Sequence, residues 1–85
     1  MRWVVYILEC GDNSLYTGIT TDLPARLAAH RAGTGAKYTR GRGPLHLVFQ
    51  EQAPDRSAAT RREGEIKALD VCSKRRLIAS QQGLR

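Results

Sequence analysis

Trp3-Val4-Val5-Tyr6-Ile7-Leu8-Glu9-Cys10-Gly11-Asp12-Asn13-Ser14-Leu15-Tyr16-Thr17-Gly18-Ile19 is the stretch that decides the architecture. Its first six residues are β-branched, aromatic or aliphatic without interruption, the pattern of a strand covered on both faces. Gly11, Asp12 and Asn13 supply the backbone angles of a hairpin turn, and Leu15 to Ile19 returns as a second strand. Centring the turn on Asp12 sets Tyr6 opposite Gly18 and Tyr16 opposite Leu8. Both tyrosines then share one face. The glycine opposite Tyr6 leaves space for its ring or for something bound beside it.

Downstream, Thr20-Thr21-Asp22 offers N-cap side chains and Pro24 suits a first turn, so a helix is expected from Leu23 to about Ala32, closed by Gly33. Leu23 and Leu27 form its apolar stripe; Asp22, Arg26 and His30 recur every fourth residue and line up on the other side. From Gly33 to Gly43 the chain carries four glycines with Lys37, Tyr38, Arg40 and Arg42, and reads as a mobile basic loop before a third strand at about Leu45 to Gln50. Pro54-Asp55 opens a second helix from Arg56 to about Leu69, with Ala58, Ala59, Ile66 and Leu69 on one side and Glu63 and Glu65 at opposite edges of that stripe. Ser73 is expected to cap a shorter helix carrying Leu77 and Ile78, and Gln81-Gln82-Gly83 to fray. The predicted order is ββαβαα, without internal repeats or low-complexity tracts.

Eighty-five residues, 41% apolar and 26% charged, predict one soluble domain over 1–85. At that size a single core leaves roughly 3–5 kcal/mol of net stability. Cys10 and Cys72 are far apart and lack neighbours at zinc-site spacing, so both are expected to be small buried hydrophobes in a reducing cytoplasm. Fourteen Lys and Arg against eight Asp and Glu give +6, which makes nucleic acid the leading partner class. Five of the fourteen basic residues fall between Leu23 and Gln50, where there is no acid at all. No apolar run approaches the roughly 20 residues that span a bilayer, and the N-terminus has no signal-peptide pattern, so neither membrane insertion nor secretion is expected.

Taken singly, each candidate has a plain structural reading. Paired tyrosines on a hairpin are usually packing residues. Arg26 and His30 are ordinarily surface side chains, although a shared face is also what a phosphate site needs. Glu63 could pair with Arg62 or Lys67, and spacing does not choose between Glu63 and Glu65. The basic loop reads equally as a solubilising segment and as a phosphate-backbone surface in which Tyr38 stacks on a base.

Together, Val5-Tyr6-Ile7, Tyr16-Thr17-Gly18, Arg26 with His30, and a glutamate in a later helix resemble the GIY-YIG nuclease superfamily, and most of all its small stand-alone bacterial branch of the YhbQ type. The resemblance runs from about Trp3 to Ile78; Leu15 to Asp22 is its most specific part, and Gly35-Ala36-Lys37 and Asp55-Arg56-Ser57 agree with it. It implies an α+β fold, a three-stranded antiparallel sheet flanked by helices, and metal-dependent hydrolysis of phosphodiesters in nucleic acid, with DNA as the expected substrate. It assigns catalytic roles to Tyr6, Tyr16, Arg26 and His30, and puts the ligand of one Mg²⁺ or Mn²⁺ at Glu63 rather than Glu65. Lys37, Tyr38, Arg40 and Arg42 are the expected nucleic-acid contacts. Valine replaces the first motif glycine and Thr17 the second motif's isoleucine, while the superfamily's late asparagine has no counterpart around Ser73 to Arg76. The competing expectations are a non-catalytic nucleic-acid-binding module and a nuclease subunit that needs a protein partner.

Overall fold

The hairpin forms in the expected register. β1 (Trp3–Glu9) pairs antiparallel with β2 (Leu15–Thr20), setting Tyr6 against Gly18 and Leu8 against Tyr16. Asn13 takes the left-handed turn position, φ 69°. β3 (His46–Ala53) pairs antiparallel along the other side of β1, giving the strand order β2-β1-β3. These are features of a computed structural model that describes residues 2–82. The central place of β1 explains its unbroken apolar run, because both its faces are covered.

The pleat divides those faces. Val5 and Ile7 join Phe49, Ala53, Ala59, Ile66 and Ile78 in a core closed by α2 (Arg56–Lys67) and α3 (Val71–Gln82). Tyr6 and Leu8 point the other way, into a second cluster with Cys10, Leu45, and Leu23 and Leu27 of α1 (Leu23–Arg31). A bulge in β3 keeps this division intact: Ile7 faces Phe49 but Leu8 faces Leu47, so Val48 is the additional residue. Val48 and Phe49 therefore both pack in the first cluster while Leu47 turns to the second.

Helix boundaries follow their caps. The Asp22 carboxylate accepts from the Ala25 amide and that of Asp55 from the Ala58 amide. Several expectations need correction. β3 continues past Gln50 to Ala53, while Leu45 precedes it as a buried residue. α2 stops at Lys67, leaving Leu69 beyond it and partly exposed. α3 is as long as α2, at 12 residues, and is capped not by Ser73 but by Asp70, whose carboxylate accepts from the Ser73 amide at 2.7 Å. Gln81 does not fray: its side chain donates to Gln50 O at 2.6 Å and accepts from Gln50 N at 3.1 Å. Gly83 lies outside the described residues. Cys10 is buried as expected, whereas Cys72 is exposed on α3. No described helix is long and apolar enough to cross a membrane.

Candidate active site

The second cluster borders the candidate site. Tyr6 is wholly buried, and its hydroxyl lies 2.8 Å from Nε2 of His30, itself only 2% exposed. Tyr16 meets the same imidazole edge-on, with ring centroids 5.2 Å apart. α1 delivers both partners: His30 from its last turn, and Arg26 one turn earlier with its guanidinium beside the two phenols. Gly18 makes the approach possible. A Cβ there would stand 2.6 Å from the Tyr6 hydroxyl oxygen, 2.7 Å from Tyr6 Cζ and 3.1 Å from Tyr16 Cε2, so the phenols rest against bare backbone.

Electrostatics sets the resting proton positions. Burial pushes the Tyr6 phenol above the ordinary tyrosine range; Arg26 opposes that shift, and the charges of Tyr16 and Glu63 add to it. Burial, and then the positive charge of Arg26, holds the His30 imidazole below its ordinary value. Tyr6 is thus a protonated phenol and His30 a neutral ring at pH 7. Arg26 Nε is the one buried side-chain polar atom among the described residues without a hydrogen-bond partner. An orphaned donor on a cation beside two hydroxyls is what an anionic oxygen would satisfy.

Glu63 occupies the stripe of α2 between Ala59 and Ile66, both fully buried, on a helix that packs across β2 and β1. Its carboxylate pairs with Lys67 Nζ at 3.2 Å and its field reaches Tyr6. Glu65 belongs elsewhere, held by Arg62 at 3.1 Å on the exposed side. Among the described residues no three His, Cys, Asp or Glu side chains gather to enclose an ion. A lone carboxylate whose field reaches Tyr6 suits a hard ion such as Mg²⁺ or Mn²⁺, which keeps several waters and takes further oxygens from a substrate phosphate.

The basic loop is pinned rather than free. Tyr38 stacks on Tyr16 with ring centroids 5.8 Å apart, and the guanidinium of Arg42 lies over the Tyr38 ring, 4.3 Å from its centroid. Arg42 is held by Asp12 of the hairpin turn at 2.6 Å, and its carbonyl accepts from the Gly11 amide. Tyr38 nonetheless stays 41% exposed, so part of its ring remains open to a base. Arg40 donates from Nε to Gly33 O at 3.2 Å, and Lys37 is exposed. The late stretch from Ser73 to Arg76 sends Arg75 to Glu9 and Asn13 O, tying α3 to the hairpin.

Two further residues bear on the site: Thr39, which sequence reasoning does not single out, and Gly35, which enters there only as part of the resemblance. Thr39 is buried with its hydroxyl 2.9 Å from His30 Nδ1, and Gly35 passes so close that a Cβ would stand 2.6 Å from the same nitrogen. Neither lies at a helical or strand period from His30, so no spacing marks them. A cavity of about 470 Å³ opens on the far side of His30 and Thr39, lined also by Arg31, Leu45 and His46.

Residues 2–71 match the family model described as the GIY-YIG catalytic domain. The chain is 53% identical to the UPF0213 protein NP_0776A of Natronomonas pharaonis over 79 residues, covering 93% of each. With the UPF0213 protein SH2523 of Staphylococcus haemolyticus it shares 54% over 74 residues, 87% of this chain and 90% of that one. The solution NMR structure of the UPF0213 protein BH0048 from Bacillus halodurans is similar over 99% of this chain and 89% of its own, at 48% identity and a TM-score of 0.65. Family model, relatives and shared fold agree, and the chain belongs to the GIY-YIG catalytic domain family, among the small UPF0213 proteins.

Proposed function

We propose that the protein is a divalent-metal-dependent endonuclease that hydrolyses phosphodiester bonds in nucleic acid, DNA foremost, with structural selectivity or weak sequence specificity. The observation that carries this reading is the buried, unpartnered Arg26 Nε beside Tyr6, Tyr16 and His30. Hydrolysis needs a deprotonated water in line with the leaving oxygen, charge neutralisation at phosphorus and a proton for the departing alkoxide. Arg26 binds the non-bridging oxygens, and in turning to them uncovers Tyr6. Tyr6 takes the proton of the attacking water while passing its own to His30 Nε2, which spares a phenol of raised pKa from ionising first. Tyr16 donates a hydrogen bond to phosphate or water. Glu63 would hold Mg²⁺ or Mn²⁺, which when bound would supply Lewis-acid stabilisation of the charge on phosphate and leaving 3′ oxygen, and the departing alkoxide takes its proton from solvent water.

Lys37, Tyr38, Arg40 and Arg42 track the backbone of the flanking strand. Weak sequence specificity accords with three described helices that all pack on the sheet, leaving none to enter a groove. The two free thiols suit a reducing cytoplasm. Supercoiled plasmid, branched DNA and single strands incubated with Mg²⁺ or Mn²⁺ are the test. Cleavage is expected only with metal, and Glu63→Ala or Tyr6→Phe should lower it roughly 100-fold or more with the circular dichroism spectrum unchanged. Undiminished nicking by Glu63→Ala would refute the metal role. The ion pair that engages Glu63 with Lys67 favours a second reading, a basic binding module without chemistry; binding that persists in chelator while no strand is ever cut would select it. Cleavage seen only after a cell fraction is added would assign the chain to a larger nuclease assembly.

A further inference from the structure

Thr39 has no part in the mechanism above, yet its hydroxyl is one of two side-chain groups bonded to the His30 ring among the described residues. A hydroxyl has one proton. Thr39 Oγ1 lies 3.0 Å from Ala36 O, which can only accept, and 2.9 Å from His30 Nδ1. With the proton directed to Ala36 O, the hydroxyl offers Nδ1 a lone pair, so Nδ1 carries the ring proton and Nε2 is bare. The opposite tautomer would let Nδ1 accept from Thr39 and from the Ala36 amide, 3.4 Å away. The Tyr6 side decides between them. The Tyr6 residue is fully buried, its hydroxyl bonds His30 Nε2 and the Arg26 side chain, and Arg26 is a donor only, so Nε2 is the acceptor that the phenol proton has among these partners. A protonated Nε2 would leave the phenol proton with no acceptor, whereas a bare Nε2 satisfies every buried group at the cost of one long amide contact.

We propose that Thr39 is a positioning residue that fixes His30 in its Nδ1–H tautomer, so that Nε2 faces Tyr6 as a proton acceptor. The chain of donation runs from Tyr6 through His30 and Thr39 to the Ala36 carbonyl. Each bond constrains the next, and the constraint ends on backbone that does not titrate. Gly35 is what lets the loop close on the ring, since any side chain there would strike Nδ1. The inference rests on the nuclease reading only for its kinetic consequence; the tautomer itself is readable whether or not the protein cuts anything.

Long-range ¹H–¹⁵N NMR of the His30 ring, at a pH where it is neutral, is the primary test. A pyrrole-like Nδ1 and a pyridine-like Nε2 are expected in the native chain. Thr39→Val, which keeps the shape and removes the hydroxyl, should shift the ring toward the Nε2–H form; Thr39→Ser should restore the native pattern. In the cleavage assay Thr39→Val should lower kcat roughly tenfold to a hundredfold with KM held, and Thr39→Ser should recover it. A native Nε2–H ring, or a Thr39→Val ring unchanged from the native one, would overturn the proposal. Should Thr39→Val not fold, the native spectrum alone decides. A native Nδ1–H ring in a protein that cleaves no substrate would uphold the positioning and sink the nuclease reading.

Discussion

His30 is a titratable ring sealed between Tyr6, Thr39 and the backbone of Gly35, and that enclosure has a pH signature. Burial holds its folded-state pKa below the unfolded 6.5, so the unfolded chain takes up its proton first as the solution is acidified. The stabilisation is complete above about pH 6.5 and drains away as pH falls below it. Thermal melts from pH 8 down to 5 should show this loss in the native chain and a flatter profile in His30→Gln. Gly18 makes a second prediction. Gly18→Ala drives a methyl into the Tyr6 hydroxyl and should cost about 1–3 kcal/mol in urea unfolding while lowering cleavage. The pairing behind that prediction is legible in the sequence, because an antiparallel register follows once its turn is placed. Helical spacing does not separate Glu63 from Glu65, since both edge one stripe; the register of the family resemblance chooses Glu63, and their surroundings differ, the field of Glu63 reaching Tyr6 while Glu65 pairs with Arg62. Thr39 is less legible still, since a loop has no period to betray which residue turns inward.

Among the elements, α3 shows how a cap is misread. Asp70 and Ser73 are both cap-forming residues three apart; the helix starts after the first of them, and Ser73 serves as its donor, through the amide first and the side chain second. Asp70→Ala should therefore lower the midpoint of chemical denaturation, and Ser73→Ala should lower it less. β3 is the complementary case. Gln50-Glu51-Gln52 has low strand propensity, and the sequence reading ends there, yet Trp3 to Tyr6 impose pairing through to Ala53 because β1 offers them a continuous row of backbone groups. Tertiary pairing overrides local preference. The hairpin, α1 and α2 are legible nearly to the residue because their turn and caps are local, and a local signal is what a sequence displays most directly.

For the whole molecule, the charge is lopsided: +6 overall, with the acid-free stretch from Leu23 to Gln50 wrapped around the site. Backbone binding by such a surface should weaken steeply with salt. Lys37→Glu with Arg40→Glu should loosen association with DNA of any sequence and flatten the slope of log affinity against log salt by about 0.9 for each phosphate no longer neutralised, measured by fluorescence anisotropy. Arg42 is a poorer choice for that experiment, because Asp12 and Tyr38 already engage it. β1 links the charge-bearing half to the aliphatic half. Its seven residues alternate between an interior that keeps the chain folded and a pocket of phenol, imidazole and guanidinium. A single codon inserted in that strand would swing Ile7 toward His30 and a phenol into oil, destroying foldedness and reactivity together. Length can change without turning the ribbon over only outside the paired strands.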